Sequence, residues 1–143
     1  MTISLTHVAL HVEDIDACIE FYKEFCSMKV THRRTGKDPA FDVAWMSEPG
    51  KEQDFIFVVV GYGKAAIQDS NDFKHLGFAV ESKAEVDRLA ELAKKKGCLF
   101  WAARDEGYPI GYYCAVTDPN GTVVEFSYGQ PLGPGSPDYK IES

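Results

Sequence analysis

The feature that most constrains this chain is that its pattern occurs twice, 68 residues apart (75 − 7). His7-Val8-Ala9-Leu10-His11-Val12-Glu13 falls on His75-Leu76-Gly77-Phe78-Ala79-Val80-Glu81. At the same offset Phe55-Ile56-Phe57-Val58 falls on Val123-Val124-Glu125-Phe126, and Gly61 on Gly129. Agreement at both ends of a segment, with gaps only between, is the signature of a duplicated supersecondary unit. Whatever one copy folds into, the other folds into as well.

Each copy has the same internal order. Ile3 to Val12 alternates with period two, Val8, Leu10 and Val12 on one face and His7, Ala9 and His11 on the other. Asp14 is placed to cap a helix reaching about Cys26, whose Ile15, Cys18, Ile19, Tyr22 and Phe25 recur at helical spacing. Three strand-like stretches follow, at about 29–33, 42–46 and 55–61. In the second copy, 74–80 reads as a strand and Ser82-Lys83-Ala84-Glu85 as a capping box. The helix it opens carries Val86, Leu89, Leu92 and Ala93 on one side and stops at Gly97. Strands are then expected at 98–102, 111–117 and 122–128, the last two joined by the turn Asp118-Pro119-Asn120-Gly121. The expected fold is α+β, with paired βαβββ modules at about 3–61 and 74–128 in one domain of 1–143 and a Pro/Gly-rich surface tail at 130–143.

Composition removes several classes of function. With 22 acidic against 15 basic side chains the net charge is −7, which offers no basic stripe for nucleic-acid phosphates. No segment approaches the roughly 20 apolar residues that span a bilayer, and the N-terminus does not read as a signal peptide. Cys18, Cys26, Cys98 and Cys114 show no CxxC spacing, so nothing requires an oxidising compartment. A cytoplasmic protein that binds neither nucleic acid nor membrane is the expectation.

The repeat also singles out side chains. One helix per copy covers one sheet face, so the other face must bound a cavity or a partner. His7 and His75 are repeat-equivalent, point away from the large apolar residues of their strands, and sit beside the small Ala9 and Gly77. Glu125 lies mid-strand among Val123, Val124 and Phe126, where an unpaired charge is costly. Two imidazoles and a carboxylate converging on one cavity would make a three-ligand site for a divalent metal with positions left for substrate. The plainer reading is that each histidine is an ordinary hydrogen-bonded residue and the glutamate pairs with a base. His32 and His11 lack repeat support; His32 is expected at the surface and His11 as a lining residue of the cavity.

These residues resemble the vicinal-oxygen-chelate superfamily, which includes glyoxalase I, methylmalonyl-CoA epimerase, fosfomycin thiol transferases, extradiol dioxygenases and bleomycin-resistance proteins. The matching pieces are His7 to Val12, Phe21-Tyr22, His75 to Val80 and Asp118 to Phe126. The resemblance spans about residues 3–128. It implies paired βαβββ modules whose curved mixed sheet forms an open cavity, and His7, His75 and Glu125 as metal ligands. It also implies a homodimer in which His7 faces His75 and Glu125 of either the same chain or a second copy.

This sequence departs from each characterised branch. The glyoxalase and epimerase branches carry a fourth ligand, Glu or Gln, in the last strand of the first module. The 68-residue offset puts that position at Phe57, and neither Ile56 nor Val58 could ligate. The transferases and dioxygenases carry a tyrosine ten residues before the glutamate, where this chain has Ala115, with Tyr113 two residues away. No basic residue lies between Glu125 and Lys140, where the transferases place an arginine. The expectation is therefore a small metal-dependent enzyme of lyase/isomerase, transferase or dioxygenase type, with Fe, Mn, Ni or Zn polarising an oxygen-chelating substrate and with room for a thiol cosubstrate. His11 and Tyr113 are the candidates for proton transfer or oxyanion contact. Trp45, Phe57, Phe100 and Trp101 are candidates to make the cavity partly apolar. The alternative is a small-molecule binder of the bleomycin-resistance type without turnover, which the aromatic content of 13% permits.

Overall fold

A computed structural model describes residues 1–36, 38, 42–133 and 136. Most of the proposed tail, 134–135 and 137–143, lies outside the described residues. The chain divides into two compact units, Met1–Ile67 and Gln68–Ser143.

In the first unit, β1 (His7–His11) leads into α1 (Ile15–Cys26), followed by β2 (Lys29–Arg34), β3 (Val43–Ser47) and β4 (Ile56–Val60). The four strands form one sheet in the order β1-β4-β3-β2, with β1 parallel to β4 and the other pairs antiparallel. Asp14 caps α1 by accepting from the Ala17 N–H at 3.0 Å. The helix buries Ile15, Cys18, Ile19, Phe21, Tyr22 and Phe25.

The second unit repeats the order: β5 (Leu76–Ala79), α2 (Lys83–Lys96), β6 (Leu99–Asp105), β7 (Tyr112–Thr117) and β8 (Val123–Tyr128). Its sheet runs β5-β8-β7-β6, again with one parallel pair, β5 with β8. Ser82 Oγ accepts from the Glu85 N–H at 3.1 Å, and α2 closes on Gly97 at φ 72°, a left-handed conformation that favours glycine. The last turn of α2 carries Lys94, Lys95 and Lys96, where cations oppose the negative helix end. Val86, Leu89, Ala90 and Ala93 are buried, as are Cys114, Val116, Val124 and Phe126 of β7 and β8. Each fully buried Val or Leu among them contributes roughly 1.5–3 kcal/mol.

The two α+β modules are those the repeat implies, and both helix boundaries match the capping residues. The strand ends differ in one place that matters. Residues 103–105 continue β6, which the sequence pattern ends at Ala102, because Arg104 and Asp105 pair with Tyr113 and Tyr112 across a register shift. Such irregularities bend a strand and disturb its alternation, so sequence periodicity loses it early.

The β7–β8 turn is tied by Asp118. Its Oδ1 accepts from the N–H groups of Asn120 at 2.8 Å and Thr122 at 2.9 Å, while the Asp118 backbone N–H donates to Thr122 O at 2.8 Å. Asp118 is buried, and its side chain sets where β8, and therefore Glu125, begins.

Candidate metal centre

Strand register builds the second unit's site row by row. Gly77 of β5 pairs with Glu125 of β8, Glu125 with Ala115 of β7, and Ala115 with Trp101 of β6. The next row on the same face runs Ala79, Ser127, Tyr113, Arg104. A Cβ at Gly77 would stand 3.8 Å from Glu125 Oε2, an ordinary contact, so the glycine leaves open space without being sterically required.

His75 immediately precedes β5, and its Nε2 stands 2.7 Å from Glu125 Oε2. The side chains are 33% and 8% exposed, so the imidazole reaches solvent and the carboxylate is largely buried. The other ring nitrogen, Nδ1, lies 2.7 Å from Phe73 O. A carbonyl oxygen only accepts, so Nδ1 carries a hydrogen. In a neutral ring that leaves the Nε2 lone pair facing the carboxylate. The contact is favourable only when a proton, or a cation in its place, lies between them. Burial pushes the Glu125 carboxyl above its ordinary value, and the His75 imidazole acts in the opposite direction. Trp101 packs its ring against His75 at 5.9 Å between centroids and fixes the imidazole from the side.

This donor set fits a divalent ion. An imidazole with its outer N–H bound to a backbone carbonyl is the arrangement that orients a metal-binding histidine. Within the second unit no third His, Cys, Asp or Glu among the described residues joins the pair.

In the first unit His7 is exposed on β1, with Thr6 Oγ1 3.0 Å from its Nδ1. His7 lines an open depression of about 370 Å³ with Thr6, Ala9, Trp45, Ile56 and Val58. His11 is at the far end of the same strand, about 13 Å along it from His7, and is not part of that lining. His32 is exposed, its ring edge 6.2 Å from Trp45.

Register corrects one alignment. Ala9 pairs with Val58 as Gly77 pairs with Glu125, so Val58, at an offset of 67 (125 − 58), holds the position equivalent to Glu125. Phe57 belongs to the helix-side face, buried with its ring 5.3 Å from Tyr22, and does not line the depression. The conclusion that no fourth ligand comes from this strand is unchanged, since valine cannot ligate. By the same pairing Trp45 stands where Ala115 stands in the second unit. A duplicated frame thus carries an apolar depression in one copy and an acid–imidazole pair in the other.

Tyr113 is 7% exposed, and its hydroxyl oxygen accepts from Arg104 Nε at 2.8 Å. Arg104 also pairs with Glu106 at 2.9 Å. Arg104 does not stand out in the sequence, because it lies two residues beyond Ala102, where the strand pattern ends.

Residues 4–126 match the model of the Glyoxalase/Bleomycin resistance protein/Dioxygenase superfamily, and the chain belongs to that family. It is 58% identical over 136 residues to the uncharacterized protein PA2024 of Pseudomonas aeruginosa, with 95% of this chain and 96% of that protein covered. Among solved structures it is similar to a glyoxylase/bleomycin resistance protein/dioxygenase domain from Frankia sp. EAN1pec (TM-score 0.67, 26% identity, 88% and 97% of the two chains). It is also similar in fold to the genomically encoded fosfomycin resistance protein FosX from Listeria monocytogenes, complexed with Mn(II) and sulfate ion (TM-score 0.68, 16% identity, 89% and 90%). No helix among the described residues is long and apolar enough to cross a membrane.

Proposed function

We propose that the chain is a divalent-metal-dependent enzyme acting on a small oxygen-chelating substrate, with His75, Glu125 and His7 as the ligands. The observation that carries this reading is the His75–Glu125 contact. Nδ1 is committed to Phe73 O, so Nε2 and Oε2 present two acceptors to one point 2.7 Å across. As a purely structural device this is poor, because a buried carboxylate facing a lone pair costs stability unless something positive lies between. As a ligand pair it is well prepared. The repeat nominates His7, the equivalent of His75 in the first copy, as the third ligand, from the same chain or from a second copy.

When bound, such an ion polarises substrate oxygens and stabilises negative charge that develops on them. The chain's own residues do the rest. Glu125 and His75 are held in place by the β8 register and by Phe73 O and Trp101. Tyr113 supplies a phenolic O–H near this pair, suited to contact a substrate oxygen. The aromatic surface of Trp101 shields one side of the imidazole from water. The Mn(II) complex of the FosX relative makes manganese the first ion to test, with iron, nickel and zinc as competitors.

Titration of the metal-free protein with Mn(II), read by paramagnetic resonance, tests the reading. Saturable uptake that Glu125→Gln and His75→Ala each weaken a hundredfold or so supports it. Uptake unchanged in both variants overturns it.

The second reading, a binder without turnover, draws on the depression beside His7, whose walls of Trp45, Ile56, Val58 and Ala9 suit an apolar group. Ligand capture by protein that takes up no metal would favour it.

A further inference from the structure

We infer that Arg104 and Tyr113 form a recognition site for an anionic group of the substrate, carboxylate or phosphate, set apart from the oxygens that chelate the ion. The inference rests on the function proposed above and names the substrate class for it: oxygen-chelating acids with a second, distal anionic group.

Three observations converge on it. First, register places Tyr113 and Arg104 in the row next to Glu125, on the same face of the sheet. Tyr113 is the diagonal neighbour of Glu125, with Cβ atoms about 7 Å apart, and Arg104 stands one strand beyond it, about 4.8 Å further across the sheet, so an anionic group reaching the guanidinium is separated from a chelated oxygen by several bonds. Second, the Tyr113 hydroxyl is spent as an acceptor toward Arg104 Nε, so its own proton must be donated elsewhere. No acceptor for that proton occurs among the described residues, although the residue as a whole is only 7% exposed. An unspent O–H in that position wants an oxygen. Third, Arg104 donates from Nε to Tyr113, with Glu106 Oε1 2.9 Å from the same nitrogen and the guanidinium carbon 5.5 Å from the centre of the Tyr113 ring, and no hydrogen bond from its two Nη nitrogens occurs among the described residues. The planar fork they form is the shape that grips a carboxylate or phosphate with two hydrogen bonds.

The Glu106 pair does not compete strongly, because it is exposed on both sides, 64% at Arg104 and 38% at Glu106, and surface pairs of that kind are readily exchanged. The first copy provides a contrast. Its register-equivalent pair is Arg34 opposite Val43, an arginine without the hydroxyl. The donor pair belongs to the unit that holds the acid–imidazole contact.

Matched acids test the inference on Mn(II)-loaded protein by calorimetry. Lactate and glycerate offer a hydroxy-carboxylate chelate alone; malate adds a distal carboxylate and 3-phosphoglycerate a distal phosphate. The expected result is that malate, 3-phosphoglycerate or both bind on the order of tenfold or more tightly than their partners. Arg104→Ala should erase that preference while leaving lactate and glycerate unchanged. Arg104→Lys should keep part of it, and Tyr113→Phe should reduce it without altering Mn(II) uptake. Which distal group wins decides between carboxylate and phosphate. Equal affinity within both pairs, or a preference that survives Arg104→Ala, overturns the inference.

Mn(II) uptake is measured first, and its absence would defeat the proposed function separately. The donor pair is then read on metal-free protein with inorganic phosphate. The Arg104 Nε resonance should shift at phosphate concentrations on the order of millimolar, and Tyr113→Phe should move that dependence to higher phosphate. No shift in the unaltered protein contradicts the inference on this arm as well.

Discussion

His75 Nε2 lies 2.7 Å from Glu125 Oε2 while the opposite edge of the same ring donates to Phe73 O, so the imidazole–carboxylate contact is complete only with a positive charge shared across it. A metal ion arriving there takes the place of a proton. Binding is therefore expected to release about one proton per ion and to weaken as pH falls. Because burial raises the Glu125 carboxyl, the proton should begin to win at a higher pH than at an exposed glutamate. Calorimetry of Mn(II) binding in buffers of different ionisation enthalpy checks the proton count.

Glu125→Gln should separate stability from ion binding. A carboxyl whose value is raised on folding penalises the fold once it is ionised. That penalty is absent at pH well below the ordinary value of 4.5, appears as pH rises through it, and is constant above the raised value. The metal-free Gln variant is therefore expected to melt higher than the unaltered protein at pH 7, with the gap closing below about pH 4.5, while its metal uptake collapses. Thermal melts at both pH values, with and without Mn(II), check it.

Asp118→Ala should destabilise the second unit by about 1–3 kcal/mol, the cost of leaving buried donors unpaired. Two backbone N–H groups, of Asn120 and Thr122, lose their acceptor. Urea unfolding gives the size of the loss. Metal affinity should fall with it, since the same turn fixes where β8 starts.

Cys114 should be chemically silent. Its thiol is fully buried, lies 3.6 Å from Val86 O, and burial pushes it up to about 12. At pH 8 only about one thiol in ten thousand would be ionised, and the thiolate is the reactive form. Alkylation of the native protein followed by peptide mapping should leave Cys114 unmodified while denatured protein is labelled there.

The parts legible in the sequence are those fixed by local chemistry. Asp14, Ser82 and Gly97 mark helix ends through their own hydrogen bonds and dihedrals, and the structure places the helices between them. The likeness of His7 and His75 and the isolation of Glu125 could be read because a duplicated pattern makes equivalent positions comparable. What depended on pairing between strands was harder to read. A gapless offset aligned Glu125 with Phe57, whereas hydrogen-bond register aligns it with Val58, one residue away and on the opposite face. Arg104 was missed for a related reason: register shifts in β6 break the alternation that would have extended the strand to it. Tyr113 was singled out by the family resemblance, two residues from the position where the relatives carry a tyrosine, whereas nothing in the sequence pointed to the arginine that takes up its oxygen.

A Mn(II)-soaked crystal measured at an energy where manganese scatters anomalously tests the central claim most directly. The expected result is one strong peak about 2 Å from both His75 Nε2 and a Glu125 carboxylate oxygen, with the two side chains spread apart to admit it. A crystal saturated with Mn(II) in which the two still touch at 2.7 Å, with no peak beside them, would contradict the claim.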